Sequence, residues 1–351
     1  MKSSENHKSD GYQVNPYSLV FGKKPVQYIS RPVELEKIKN DFESGSQCVY
    51  IITGVRGSGK TVFMTEAAGS FAGDEWIVVE LNPKRDMLNT LASKLNSENK
   101  FAEIFKNAKI NLSFFGIGVE IKGVSPITDI ETAISKMLRA LERKGKKVLV
   151  AVDEVVNTEY MQIFASSFQI FIREDLPLFL LMTGLYENVE DLQNEDNLTF
   201  LYRAPKMEIR PLNISFIADN YSEVLKVDRD KALEYAKLTK GYSFAFQVLG
   251  HFLWKYGGMD KRVMTEYKHY LYEYVYEKIW SELSENDKRV CKALSETEEG
   301  KIKNVREILG MDTNNFNPYR KRLLRKGIIN GDTYGYIRFT LPVFSDFVKD
   351  N

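Results

Sequence analysis

The chain has 351 residues, of which 43% are hydrophobic and 28% are charged, and these ordinary values exclude a largely disordered protein. Its formal net charge is only +1, so no overall charge imbalance directs it to nucleic acid or to a membrane surface. The two cysteines, Cys48 and Cys291, are too far apart for a CxxC metal pair and suit a reducing compartment. Because the sequence lacks an apolar run of about 18 residues and begins without a signal-peptide segment, we expect a soluble, cytoplasmic protein without membrane contact.

At roughly 150 residues per domain, the length predicts two or three domains. Residues 1–14 are polar and are expected to form a flexible arm. From residue 15 to 212, short apolar runs alternate with amphipathic helical patterns. Strands are predicted in the runs at 47–53, 76–81, 146–154 and 176–184 and, more weakly, at 206–212. Such near-continuous β-branched runs, separated by helices, are typical of a parallel sheet covered on both faces, so the predicted fold class is α/β.

Three further segments differ from this pattern. At about 109–123, apolar residues alternate across glycines and predict a β-hairpin inserted into the α/β domain. Residues 213–283 are purely helical in pattern, and their tyrosine-rich part, 267–280, is aromatic on every side, which predicts burial between domains. Residues 284–351 form a separate unit in which helices precede a strand pair.

A phosphate-binding loop is predicted between the first strand and the helix that follows it. The motif GxxxxGK[ST] is met by Gly54, Val55, Arg56, Gly57, Ser58, Gly59, Lys60 and Thr61. Glycines let the backbone N–H groups of the loop and of the first helical turn face phosphate oxygens. Val62, in that first turn, is included among the expected cofactor-binding residues. Lys60 is expected to bridge the β- and γ-phosphates and the Thr61 hydroxyl to hold Mg²⁺, whereas Arg56 is expected to make a surface or interface contact. The alternative, an ordinary glycine-rich turn, does not account for the strand and helix on either side.

An acidic pair follows the third strand. Asp153 and Glu154 come directly after five apolar residues, at the carboxyl end of a parallel strand, where open sheets bind ligands. Asp153 is expected to hold Mg²⁺ through its water shell, and Glu154 to polarise the attacking water. Acidic residues also follow strands in ordinary loops, so this interpretation depends on the phosphate-binding loop.

Two more residues are candidates for the same chemistry. Thr183, at the end of the fourth strand, could orient the water or the γ-phosphate, or could simply end the strand. Arg203, just before the fifth strand, could reach a γ-phosphate in its own subunit or in a neighbouring one, or could form a surface ion pair.

The last segment has the layout of a winged helix. Ser284 fits the N-cap of a first helix, two further helices follow with a turn at Thr313–Asn314, and a hairpin contains Gly331 and Gly335. In that layout the second helix of the helix pair enters the major groove of DNA. Between positions 301 and 338, nine Lys or Arg residues face only three Asp or Glu residues. The candidate DNA-binding residues are Arg320, Lys321, Arg322, Arg325, Lys326 and Arg338.

Taken in order, these segments resemble the AAA+ and STAND-like ATPases of archaea and bacteria that carry a C-terminal winged helix, relatives of the archaeal replication initiators. The opening NPYSLVFGKKPVQYISRPVEL is similar to the family's adenine-bordering box, which implies that Tyr28 and Ile29 are cofactor-binding. GVRGSGKT and VDE resemble its Walker A and Walker B motifs, and GYSFAFQVLGHFLW resembles its lid helix. Ser30 replaces the family's glycine before Arg31, and Ser243 stands at its lid proline.

The resemblance implies a three-layer P-loop core at 15–212, a helical lid at 213–283 and a winged helix at 284–351. It also implies ATP rather than GTP, since no NKxD-like guanine signature is present. The predicted function is therefore a Mg-ATP-hydrolysing switch that couples its nucleotide state to double-stranded DNA through the winged helix. The alternative is a protein-interaction switch whose winged helix docks a protein or inhibits its own chain. A homo-oligomer is a possible assembly in both cases.

Overall fold

The structure is a computed structural model that describes residues 14–20, 22–118 and 120–351, leaving aside the side chains of residues 196, 197 and 199. The expected N-terminal arm therefore lies, up to residue 13, outside the described residues. Within the described part, no helix is long and apolar enough to cross a bilayer.

A five-stranded parallel sheet forms the centre of the N-terminal domain. Its strands are β1 (Val49–Thr53), β2 (Trp76–Leu81), β3 (Lys147–Val152), β4 (Leu178–Gly184) and β5 (Lys206–Glu208). They lie in the order β2-β3-β4-β1-β5, so β4 separates the strand before the phosphate-binding loop from the strand before the acidic pair. The pairing of Thr53 with Gly184 brings the carboxyl ends of β1 and β4 to the same edge. The predicted α/β class with a parallel sheet is confirmed.

Helices cover both faces of this sheet. They are α1 (Pro32–Ser44), α2 (Lys60–Ser70), α3 (Met87–Ser97), α4 (Asn99–Asn107), α5 (Ile130–Glu142), α6 (Glu159–Arg173) and α7 (Tyr186–Gln193), with 3-10 turns at Ser113–Phe115 and Asp196–Arg203. Because side chains alternate along a strand, Tyr50 and Ile52 pack with α1 and α2, whereas Val49 and Ile51 belong to the core that α3, α5 and α6 close. The carboxylate of Asp129 and the hydroxyl of Thr158 cap the starts of α5 and α6.

The predicted hairpin at about 109–123 is wrong. Over 109–118 and 120–123, the described residues contain no strand and only the 3-10 turn. Ile110, Leu112 and Ile117 are buried in the core of the sheet domain, so the apolar alternation reflects a loop pinned to that core. The fully buried Asn111 holds the loop by donating from its amide to the carbonyl of Val124 at 2.7 Å.

The remaining helices form a second body with one continuous core. They are α8 (Ile214–Leu225), α9 (Arg229–Leu238), α10 (Ser243–Tyr256), α11 (Lys261–Leu271), a π-helical turn (Tyr272–Tyr276), α12 (Glu277–Ser281), α13 (Glu285–Ser295), α14 (Ile302–Leu309), α15 (Thr313–Arg325) and α16 (Phe344–Asp350). The predicted burial of the tyrosine-rich part holds for Tyr267 and for Tyr276, whose hydroxyl donates to the carbonyl of Pro342, but not for Tyr274, which is 45% exposed. The predicted boundary at 283/284 therefore falls inside a shared core.

At the C-terminus, three helices precede a short antiparallel ribbon of β6 (Ile329–Asn330) and β7 (Arg338–Phe339). Ser284 caps α13 by accepting from the N–H of Asp287, which confirms the predicted helix start. Asp312 caps α15, so Thr313 already lies in that helix and the predicted turn comes earlier. An isolated antiparallel bridge joins Lys301, just before α14, to Tyr336, just before β7.

Candidate active site at the carboxyl edge of the sheet

The loop between β1 and α2 has the backbone that its glycines predict. Gly57 and Gly59 have φ angles of 75° and 94°, in the left-handed region that side chains disfavour. At Gly57 a second reason applies, because a Cβ atom there would lie 2.1 Å from the hydroxyl oxygen of Tyr242. Only glycine therefore permits this approach of the loop to the helical segment.

Lys60, the first residue of α2, is buried, with 9% of its surface exposed. Its Nζ atom donates to the carbonyl oxygens of Gly54 at 2.9 Å and Val55 at 3.1 Å. Burial is the main cause that lowers the pKa of Lys60 to about 8; the carboxylates of Asp153 and Glu154 oppose this shift, and the positive charge of Arg56 adds to it. An anionic ligand beside this ammonium would relieve the desolvation of its charge.

Asp153, which follows β3, bonds to side chains on α2 and β4. Its carboxylate accepts from the hydroxyl of Thr61 on α2 at 2.8 Å and from the hydroxyl of Thr183 on β4. The N–H of Glu154 donates to the Thr183 hydroxyl oxygen and to Asp153, both at 3.1 Å. Glu154 has a φ of 51°, an uncommon backbone conformation outside glycine that these bonds support. The structure thus brings together Lys60, Thr61, Asp153, Glu154 and Thr183.

These residues border a cleft of 1160 Å³ between the sheet domain and the helical segment. Of the predicted cofactor-binding residues, those that line it are Tyr28, Ile29, Arg56, Gly57, Ser58, Gly59, Lys60, Thr61 and Val62. Gly54 and Val55 do not line it, and Lys60 engages their carbonyls. Asp153 and Glu154 line the same cleft, together with Lys60 and Thr61.

The segment before α1 is fixed at the cleft by polar contacts. The hydroxyls of Tyr28 and Ser30 both donate to the carboxylate of Glu66 on α2, at 2.7 and 2.8 Å. Arg31 donates to the carbonyl of Arg210 at 2.7 Å. The serine that departs from the family's glycine thus anchors this segment to α2.

Two candidate catalytic residues have positions different from those expected. Thr183 is fully buried, does not line the cleft, and uses its hydroxyl on Asp153 and the Glu154 backbone. Its position therefore suits the alignment of the acidic pair rather than direct contact with water or phosphate. Arg203 is exposed at the end of the 3-10 turn and is not among the residues that line the cleft, which argues against a role on the phosphate of its own subunit.

Arg56 makes the interface contact that the sequence predicts. Its guanidinium donates to the carboxylate of Glu282 at 3.1 Å, and Lys278 pairs with the same carboxylate at 3.2 Å. The tip of the loop is thereby bound to the helix that leads into the C-terminal helices. Sequence reasoning missed Glu282, because nothing in a local pattern indicates a partner 226 positions away.

The candidate DNA-binding residues of α15 are largely engaged within the chain. Arg322 donates to both carboxylate oxygens of Asp287, which is 1% exposed, at distances of 2.8–3.0 Å. Arg325 pairs with Glu190 at 3.3 Å, and Lys326 pairs with Glu187, both glutamates lying on α7. The others differ in exposure: Arg320 is half-buried beside the ribbon, whereas Lys321 and Arg338 are exposed.

The parallel sheet with its strand order, the loop before α2 and the acidic pair after β3 define a P-loop NTPase with an AAA+-like core. Residues 28–197 match a family model described as an ATPase domain predominantly from Archaea, and residues 273–348 match a domain of unknown function. The protein is thus an ATPase, and the segment that matches the ATPase model covers a little under half of its chain.

Several solved structures align with most of this chain, and the first of those that follow shares its fold. The Walker-type ATPase of Pyrococcus abyssi aligns with a TM-score of 0.63 and 16% identity over 92% of this chain and 96% of its own. The ORC2 protein of Aeropyrum pernix aligns with a TM-score of 0.44 and 13% identity over 93% and 94% of the two chains. Cdc6p from Pyrobaculum aerophilum gives a TM-score of 0.45 and 12% identity over 93% and 95%. No curated protein matches the chain.

Proposed function

We propose that this ATPase is a Mg-ATP-dependent switch whose nucleotide state controls DNA binding through its C-terminal helices and ribbon. In this proposal Lys60 binds the β- and γ-phosphates, Thr61 and Asp153 hold the metal, and Glu154 polarises the attacking water. The proximity of Thr61, Asp153 and Glu154 at the end of a cleft with room for a nucleotide supports these roles.

The donor atoms at the cleft suit magnesium. The Thr61 hydroxyl and the Asp153 carboxylate are hard oxygen donors 2.8 Å apart, and Mg²⁺ in phosphate sites takes one or two such ligands together with water and phosphate oxygens. When bound, the ion neutralises charge on the phosphates. Among the described residues no cluster of three His, Cys, Asp or Glu residues could form an all-protein metal cage, so a site shared with the nucleotide is the form that fits.

A contact between α7 and α15 carries the proposed coupling. Only Leu185 separates the end of β4 from α7, and Thr183 on β4 bonds both to Asp153 and to the Glu154 backbone. On α7, Glu187 and Glu190 hold two basic residues of α15. A change at the acidic pair on hydrolysis is therefore connected, through one strand end and one short helix, to the basic helix.

The C-terminal arrangement supports a winged helix as the output module. Three helices followed by an antiparallel ribbon have that order, with α15 at the position of the recognition helix. Binding of DNA phosphates by Arg325 and Lys326 would require them to leave the two glutamates on α7. Nucleotide-dependent release of this contact would expose a basic surface that also includes Lys321.

The same ion pairs favour a second candidate function. A basic helix held on α7 is also expected if the module restrains its own chain or docks an acidic protein, without any contact to DNA. Binding of a fluorescent duplex at low salt, measured with ATP and with ADP, together with ATPase activity with and without the duplex, separates the two. Nucleotide-dependent binding supports the DNA function, whereas no binding in either state removes it and leaves the second candidate.

A further inference from the structure

Three successive carbonyl groups of the phosphate-binding loop accept hydrogen bonds from three successive residues of the lid. The Tyr242 hydroxyl donates to the carbonyl of Arg56 at 2.6 Å, and the Ser243 hydroxyl donates to the carbonyl of Ser58 at 2.8 Å. Between them, the backbone N–H of Phe244 donates to the carbonyl of Gly57 at 3.1 Å. The start of α10 is thus hydrogen-bonded to three consecutive carbonyl groups of the loop.

Peptide geometry gives these bonds a consequence for phosphate binding. In a planar trans peptide the C=O of one residue and the N–H of the next point in opposite directions. Fixing three carbonyls towards the lid therefore directs the N–H groups of Gly57, Ser58 and Gly59 away from it. The N–H of Ser58 donates to the carbonyl of Val55 at 3.2 Å, and this carbonyl also accepts from Lys60. That N–H therefore lies on the side of the loop where the ammonium of Lys60 lies.

The lid side chains suit this role. Tyr242 is 5% exposed, and burial raises the pKa of its hydroxyl well above the ordinary value, so it remains a neutral donor. It approaches Gly57 so closely that no Cβ would fit there. Ser243 stands where the resembling family has proline, and a proline has no hydroxyl to donate to Ser58.

We propose that Tyr242 and Ser243 are positioning residues for ATP binding: from the lid, they orient the loop carbonyls so that the loop N–H groups face the phosphates. This rests on the proposed phosphate-binding role of the loop and is independent of any contact with DNA. Each lost hydrogen bond is expected to raise the Kd for Mg-ATP by roughly 2- to 10-fold. The increase should appear in KM, with kcat at saturating ATP little changed, because the catalytic groups remain in place.

The test compares Tyr242→Phe, Ser243→Ala and the double variant with matched controls in the neighbouring helices α11 and α8. Tyr267→Phe removes a buried hydroxyl that donates to the carbonyl of Leu238 at 3.0 Å, away from the loop. Ser222→Ala removes a hydroxyl that donates to the carbonyl of Val227 at 2.8 Å. Kd for Mg-ATP, KM, kcat and the thermal unfolding midpoint are measured for each variant, and Ser243→Thr, which keeps a hydroxyl, should recover affinity.

The proposal predicts that the double variant binds ATP at least about fivefold more weakly than wild type, with the controls unchanged in affinity. It is overturned if the double variant binds like wild type, or if Tyr267→Phe and Ser222→Ala weaken binding equally. Lys60→Ala distinguishes a failure of the phosphate-binding assignment of the loop from a failure of the positioning role alone. If that variant keeps full ATP affinity, the assignment of the loop itself fails. If it loses affinity while the double variant does not, only the positioning role fails.

Discussion

Asp153 takes part in three of the hydrogen bonds at the candidate site. One carboxylate accepts hydroxyl donors from α2 and β4 and also an N–H from the residue that follows it. The motif alone predicts that Asp153 and Thr61 meet, since both follow strands of one parallel sheet. It does not predict that Thr183 completes the group, because that depends on β4 lying between β1 and β3. The sequence therefore indicates the chemistry of the site and names Thr183 as a candidate, but it does not indicate that Thr183 bonds to Asp153.

The first prediction separates nucleotide binding from hydrolysis. Glu154→Gln should still bind Mg-ATP but hydrolyse it at least ~100-fold more slowly, because the amide cannot accept a proton from the attacking water. Lys60→Ala should instead lose ATP affinity, since the phosphates lose a buried positive charge. Equilibrium binding and steady-state ATPase assays on both variants check this. Normal turnover by Glu154→Gln would show that another group is the base.

At the scale of single elements, α15 and the 109–123 segment show where sequence patterns are informative. The basic helix is recognisable from its composition, yet its charges have different partners. Arg322 pairs with the almost fully buried Asp287 in the same module, whereas Arg325 and Lys326 pair with glutamates on α7. The apolar alternation at 109–123 fails as a strand signal, because its apolar residues serve a loop that packs on a core: Ile110, Leu112 and Ile117 are buried, whereas Phe114 is exposed.

The second prediction assigns Arg322 to stability and its two neighbours to the interface. Arg322→Ala leaves the Asp287 carboxylate without its guanidinium and should cost about 2–3 kcal/mol, moderated by the partial exposure of Arg322. Arg325→Ala breaks a half-exposed pair between elements and should cost less than about 1 kcal/mol. Lys326→Ala breaks a pair whose lysine is only 15% exposed and should cost more than Arg325→Ala. Chemical denaturation measures the difference, and an unchanged unfolding midpoint for Arg322→Ala would contradict the assignment.

The double variant Arg325→Ala, Lys326→Ala also tests the DNA function, because both residues pair with α7 rather than within their own module. If Arg325 and Lys326 contact phosphates once released from α7, their loss should reduce the salt slope of log K by about 1.8, at 0.9 per contact. Basal ATPase activity should remain, since neither residue lines the cleft. Lys303→Ala serves as a control, because it removes an exposed basic residue on α14. DNA affinity and slope equal to those of wild type would remove these two residues from the DNA surface.

At the scale of the whole molecule, the helices of residues 213–283 and the C-terminal helices share one core. Their buried residues form a single cluster from Tyr17 to Val348, in which the tyrosine-rich helix packs against Phe344 and Phe347 of α16. The sequence shows a change of pattern at 284 but cannot show that the apolar faces on both sides of it meet. The cleft, the Arg56–Glu282 pair and the α7–α15 contact lie where these helices meet the sheet domain.

The third prediction concerns assembly and follows from the position of Arg203. This residue is exposed and lies outside the residues that line the cleft, so any action on a γ-phosphate would be on that of a neighbouring subunit. Specific ATPase activity should then rise with protein concentration, because the complete site forms only between copies. A mixture of Lys60→Ala and Arg203→Ala proteins should partly recover activity, since the Arg203→Ala subunit keeps its own loop and receives the arginine of its neighbour. Activity per mole that stays constant on dilution, in a protein whose mass remains that of a monomer with ATP, would exclude this role. Arg173→Ala, which removes a charge from the end of α6, is the control that should leave both the concentration dependence and the complementation unchanged.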